Sequence, residues 1–288
     1  MTVSTGVLFG ILSMLGWGTA DFLVAKASKK MGHLRVLFWT QLIGVALMLI
    51  YIFSVGQVLT FTLADLFLLG LIGLLNAFAY LAYYQGLEIG KVSLVSPISA
   101  SWALITVLLS ILFFNETLTR LQLLGASLTI LGITMISTNL KELLQELKAK
   151  FDPGIKFAFS AMLVWGVTFA MIGPQVNKLG WFLPIMIIRT FTLVWVFIYG
   201  QGLRRTFSFA SEKSLLLILL LVGTLETIAF FAYGLGEQAE LTSIVAPVSA
   251  TSPLVTVLLA RVFLQEKVVF NQMIGIIGII LGIVFLSL

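Results

Sequence analysis

Residues 93–116 read SLVSPISASWALITVLLSILFFNE, and residues 243–266 read SIVAPVSATSPLVTVLLARVFLQE. Twelve of the 24 positions are identical, at a constant spacing of 150. Each stretch has the length and apolarity of one bilayer-spanning helix, opening near a proline (Pro97, Pro247) and closing at a glutamate (Glu116, Glu266). A spanning helix that recurs at this distance marks a duplicated membrane chain, an architecture that places a site between two halves.

The composition agrees. Apolar residues make up 60% of the 288, charged residues only 10%, and the mean hydropathy is +1.12. That leaves too little polar surface to coat a soluble core. Cysteine is absent, which excludes disulfides, thiolate metal sites and cysteine nucleophiles, and the single histidine (His33) cannot build a histidine metal site. The net charge of +5 is carried in loops, so it speaks for membrane topology and not for nucleic acid.

The pattern predicts an all-α polytopic protein with ten spans, near 5–27, 34–55, 64–86, 92–114, 119–138, 155–174, 181–201, 214–236, 242–264 and 269–287. Span one is not read as a cleaved signal peptide: it lacks a basic leader and holds Asp21. A first copy occupies residues 1–140, a charged linker 141–153 and a second copy 154–288. Within KELLQELKAKFDPG, Leu143, Leu144 and Leu147 share one face, as in an interfacial helix; a solvated linker is the other reading.

Loops 1–2, 3–4, 5–6, 7–8 and 9–10 and their flanks carry fourteen Lys and Arg, against two (Arg120, Lys178) on the other side. That bias makes the first side cytoplasmic and both termini external, in a plasma (inner) membrane. The repeat extends further: Gly6, Trp17 and Gly18 match Gly154, Trp165 and Gly166 at a spacing of 148. Tyr83 and Gly86 match Tyr233 and Gly236, and Gly125 and Gly132 match Gly275 and Gly282. Five spans per copy is an odd number, so the two copies enter the membrane from opposite sides around a central cavity.

These features resemble the drug/metabolite transporter superfamily, in particular its ten-span group of two EamA-type repeats. The resemblance rests on the Trp-Gly pairs, the run from Tyr83 through Pro97 to Glu116, the glycines after it, and the same order after Tyr233. It implies a secondary transporter with a cavity between the halves, often exporting amino acids or other small metabolites. The family pattern often has an arginine in span two as well as span seven; Gln41 departs from it here.

Polar groups inside spans are costly and usually face a cavity or a partner. The repeat pairs Gln41 with Arg189 and Asn76 with Glu226. At about 1.5 Å rise per residue, Arg189 lies roughly 12 Å and Glu226 roughly 15 Å below the outer face, with Gln41 and Asn76 near the cytoplasmic face. Arg189 and Glu226 either line a pathway, the arginine holding a carboxylate or phosphate, or form a structural ion pair. Asp21, whose counterpart is Phe169, is the candidate for proton coupling; pairing with Lys26 is the alternative.

Asn76, Tyr80 and Tyr83 share a helical face with Tyr84 beside them, and Glu226, Phe230 and Tyr233 repeat the arrangement. With Trp17 and Trp165, this makes either a cavity wall for an organic solute or a packed aromatic seam. Pro97 and Pro247 serve as hinges or merely start their helices.

The expected function is export of a small organic, amino-acid-like solute by alternating access, with no cofactor, and a passive channel or facilitator is the competing class. The single histidine and the singly placed acidic residues argue against an intramembrane enzyme, and without a Walker motif ATP drive would require another chain. The expected partners are the solute, the lipid bilayer and a coupling proton, for a monomer or homodimer.

Overall fold

The computed structural model describes residues 4–56, 60–137, 153–208, 212–264 and 270–288. Every regular element among them is a helix. The first half contains α1 (Thr5–Met31), α2 (His33–Val55), α3 (Leu63–Ile89), α4 (Val92–Ala100), α5 (Trp102–Phe114) and α6 (Arg120–Ser137). The second half contains α7 (Pro153–Leu179), α8 (Phe182–Gly202), α9 (Lys213–Ala239), α10 (Thr242–Ser249), α11 (Ser252–Leu264) and α12 (Phe270–Leu286). The linker reading at 141–153, apart from Pro153 itself, and the closing glutamate Glu266 lie outside the described residues.

Among the described residues seven helical segments are long and apolar enough to cross a membrane, and 120–136 and 271–286 are shorter apolar helices. Large apolar side chains remain exposed around the molecule, including Leu63, Phe53, Phe67 and Phe113. A soluble protein does not carry so much exposed apolar surface; here it faces lipid. The chain is an integral, multi-pass membrane protein.

Local signals explain the helix ends. Thr62 and Asp65 form a reciprocal cap at the start of α3. Gly32, at φ 85°, lets α1 turn into α2 across a single residue. The amide of His33, the first residue of α2, then donates to Glu88 at 2.7 Å. Glu116, from the loop after α5, accepts from the amides of Thr242 (3.1 Å) and Ser243 (2.8 Å), closing the start of α10.

The two prolines sit inside α4 and α10, and the helices break a few residues later, at Ser101 and at Ala250–Thr251. At these related positions Ser101 N–H bonds back to Pro97 and Ile98, and Thr251 N–H to Val248. The breaks lie beside the cavity described below, where irregular backbone is tolerated in a membrane protein.

Contacts between the halves come in related pairs. Thr106 Oγ1 donates to the carbonyl of Gly166 at 2.9 Å, and Thr256 Oγ1 to that of Gly18 at 3.0 Å. Trp17 packs on Phe230 with ring centroids 5.1 Å apart, and Trp165 on Tyr80 at 5.2 Å. Away from this centre α6 and α12 pack against each other through small residues: a Cβ on Gly132 would meet the carbonyl of Gly275 at 2.7 Å. Gly278, on the same helix pair, has nothing nearer than 3.5 Å. Close backbone approach is what drives helix association in lipid. Gly132→Ala should therefore lower the thermal unfolding temperature of the purified protein, by a loss of about 1–3 kcal/mol, whereas Gly278→Ala should leave it unchanged.

Candidate functional site

Glu226 and Asn76 are the middle residues of the 27-residue helices α9 and α3. Glu226 is 3% exposed, and three donors converge on it. Tyr84 OH donates to Oε1 at 2.5 Å, while Arg189 Nη2 (3.3 Å) and Gln41 Nε2 (3.4 Å) donate to Oε2. Arg189 is fully buried with its guanidinium carbon 4.7 Å from the centre of the Phe230 ring. Its Nη2 lies against Gly44, where any larger residue would collide with it.

Asn76 holds a second network. Its Oδ1 accepts from Trp165 Nε1 and its Nδ2 donates to Thr192 Oγ1, both at 3.0 Å. This fixes the Trp165 ring, against which Tyr80 and Tyr83 pack with centroids 5.2 and 5.1 Å away. On the other side Trp17 packs on Phe169, Phe230 and Tyr233. Trp102 stacks on Phe169 at 4.1 Å.

Between these aromatic groups lies a cavity of about 40 Å³. It is lined by Trp17, Asp21, Tyr80, Tyr83, Ser96, Ser99, Ala100 and Trp102 from the first half, and by Trp165, Phe169, Glu226 and Ser252 from the second. The volume is water-sized, far below the several hundred Å³ of a metabolite pocket. In this conformation the rings leave no room there for an organic solute.

Of the residues singled out in the sequence, Trp17, Asp21, Tyr80, Tyr83, Trp165 and Glu226 reach the cavity wall. Gln41, Asn76, Tyr84 and Arg189 stand behind it and hold the wall in place through the bonds above. Tyr233 backs the Trp17 ring. Pro97 and Pro247 lie in the broken helices, between the helix starts and the breaks. Asp21 faces the Tyr83 hydroxyl, and no described residue forms an ion pair with it.

The sequence count put Gln41 and Asn76 at a different depth from Arg189 and Glu226. The structure brings Gln41 onto Glu226 instead. The reason is the thickness of the layer: depths of roughly 12–15 Å from opposite faces of an apolar core about 30 Å thick both fall near its middle, so the two sets of residues can meet. Ser96, Ser99, Phe169 and Ser252 carried no signal of their own in the sequence, though Phe169 and Ser252 are the counterparts of Asp21 and Trp102.

Two carboxyl groups, Asp21 without a cation partner among the described residues and Glu226 neutralised by Arg189 behind it, stand among a ring of aromatic faces. Trp17 Nε1, unpartnered among the described residues, adds one donor.

The sequence matches the EamA-like transporter family twice, over residues 4–138 and 152–288. An uncharacterized protein of Methanocaldococcus jannaschii is 31% identical over 135 residues, 47% of this chain and 98% of that protein. That relative is therefore about as long as one half. An uncharacterized transporter of Archaeoglobus fulgidus is 28% identical over 128 residues, 44% of this chain and 46% of that protein. One protein crystal structure superposes with a TM-score of 0.76 at 18% identity, covering 99% of this chain and 98% of that one, a likeness of fold alone.

Removing the Arg189 guanidinium leaves Glu226 charged and buried beside only neutral donors. Arg189→Met should destabilise the protein by about 3–5 kcal/mol in denaturant or thermal unfolding. Arg189→Met combined with Glu226→Leu should recover most of that loss, since the stranded charge is gone.

Proposed function

Because the chain belongs to the EamA-like transporter family and is a membrane transporter of small solutes, we propose that it moves an amine-bearing, amino-acid-like metabolite by alternating access. The observation that carries this reading is the small central cavity, to which both halves contribute and which presents Asp21 and Glu226 among aromatic rings. An ammonium group would sit between the carboxylates, and the planar or apolar remainder would stack on Trp17, Trp102 and Trp165.

In this reading the ten helical passes, counting each broken pair as one, form two inverted five-span repeats. Residues 1–140 and 154–288 rock against each other, with 141–153 as the connection. The broken helices α4–α5 and α10–α11 flex near Pro97 and Pro247 and expose the cavity to each side in turn. Both termini face outward and the basic loops face the cytoplasm of a plasma membrane. The direction is export, in a monomer or homodimer.

Asp21 carries the coupling proton. It lines the cavity and has no cation partner among the described residues, so proton and solute compete for the same carboxylate. Competition of this kind couples the two fluxes without a separate relay. A passive facilitator is the second reading; it keeps the cavity but has no use for Asp21.

Reconstitution into liposomes with an imposed pH gradient separates the two. A panel of labelled amino acids and primary amines should show saturable, gradient-driven accumulation of at least one solute. Asp21→Asn should abolish accumulation while leaving solute exchange, with Trp181→Ala as an expression-matched control. Flux that neither saturates nor responds to the gradient would establish the facilitator.

Topology is testable separately, because the chain has no native cysteine. A membrane-impermeant maleimide should label Thr60→Cys from outside intact cells, and Ser208→Cys only after permeabilisation. The opposite pattern would reverse the orientation.

A further inference from the structure

A second buried carboxylate lies apart from the central cavity. Glu237, near the end of α9, is 2% exposed. Thr242 Oγ1 donates to its Oε2 at 2.5 Å, while Oε1 has no partner among the described residues. The Tyr233 hydroxyl, one turn earlier on the same helix, is also fully buried and unpartnered, and it faces the Glu237 carboxylate. On the opposite wall α7 presents Gly173, where any side chain would overlap Thr242 Oγ1 and Glu237 Oε2.

The charges around Glu237 are of one sign. Glu116 is within electrostatic reach from the loop after α5, and its own oxygens are taken up by the amides that begin α10. Tyr233 is the other titratable group facing it; α10 contributes Thr242 and α7 contributes Gly173. No described Lys, Arg or His forms an ion pair with Glu237. An unpaired carboxylate in so dry a place is stable only with a bound proton or cation. The ligand shell supplies few oxygens for a metal: one carboxylate, one threonine hydroxyl and one phenol.

We propose that Glu237, with Thr242 and Tyr233, is a second proton-binding site, set behind the aromatic layer that bounds the central cavity. That layer consists of Trp17, Trp102 and Phe169, whose ring centroids stand 5.6, 6.5 and 5.1 Å from that of Tyr233. The chain thus holds two carboxylates, each beside one of a repeat-related pair of tyrosines: Asp21 with Tyr83 inside the cavity, and Glu237 with Tyr233 outside it. Glu237 has Leu87 as its counterpart, so this site belongs to the second half alone. Binding involves only a proton moving between water and a Glu237 oxygen, with no change in any other bond. In the proposed topology this end of α9 faces outward, so the site loads from the external solution.

Infrared difference spectroscopy between acid and alkaline buffer reads the carboxyl groups directly in the purified full chain, without reference to transport. The wild type should show carbonyl-stretch bands from buried carboxylic acids. Glu237→Gln should remove one band that Asp21→Asn retains. Thr242→Val, which keeps Glu237 in place, should shift that same band by removing its hydrogen-bond donor. A spectrum unchanged by both Glu237→Gln and Thr242→Val would overturn the proposal. So would a Glu237 band that responds to sodium chloride at fixed pH, which would make the site a sodium site. Because the readout is proton binding, a failure here is distinct from a failure of the flux experiments.

Discussion

The structure depends on how one negative charge is kept in the middle of a membrane protein. Glu226 sits at the centre of α9, and a carboxylate stripped of water there is sustainable only with a counter-charge and hydrogen bonds. Arg189 supplies the charge, while Tyr84 and Gln41 supply neutral donors from the first half. The network joins four helices, α2, α3, α8 and α9, and three of its members are fully buried. It sets the rotation of α3 and α9 about their own axes, and with it the faces that those helices turn toward the cavity. A buried pair of this kind is weak evidence for net stability. Its physical effect here is to fix which face of each helix looks inward.

Around that network the two halves use equivalent scaffolding for unequal chemistry. The threonine-to-glycine bonds at 106–166 and 256–18 recur, as do the tryptophan–aromatic contacts. The polar positions do not recur. Glu226 stands where the first half has Asn76, Arg189 where it has Gln41, and Glu237 where it has Leu87, while Asp21 stands opposite Phe169. Two identical halves would place like charges at related positions near one centre, where they would repel. Divergence to a charged group in one copy and a neutral one in the other allows a single shared site.

The cavity volume carries the dynamic consequence. At about 40 Å³ it leaves no room for an organic solute, so a state that admitted one there would have to separate some of these rings. The small-residue seam between α6 and α12 gives little play, because backbone meets backbone there. The breaks after Pro97 and Pro247 offer more. They interrupt the helical ladder beside the cavity, and bending at an existing break does not require breaking a continuous run of helical hydrogen bonds.

Residue order was enough to show that the chain is helical, apolar enough for the bilayer and built from two copies. Run length, hydropathy and a fixed repeat spacing are local properties, and they survive any packing. It also identified the costly polar positions, because Arg189, Glu226, Asn76 and Asp21 stand out against apolar surroundings. Tertiary structure alone decided what those residues face. Arg189 turns behind Glu226 instead of into the cavity, Gln41 meets a residue 185 positions away, and Asn76 orients Trp165. Glu116 caps a helix of the other half, and Glu237 finds its partner in Thr242. These outcomes follow from helix rotation and crossing, which are set by contacts between residues distant in the chain, such as Arg189 Nη2 against Gly44. Periodicity within one helix shows that a polar face exists, but the neighbours it meets are chosen by the packing of all the others.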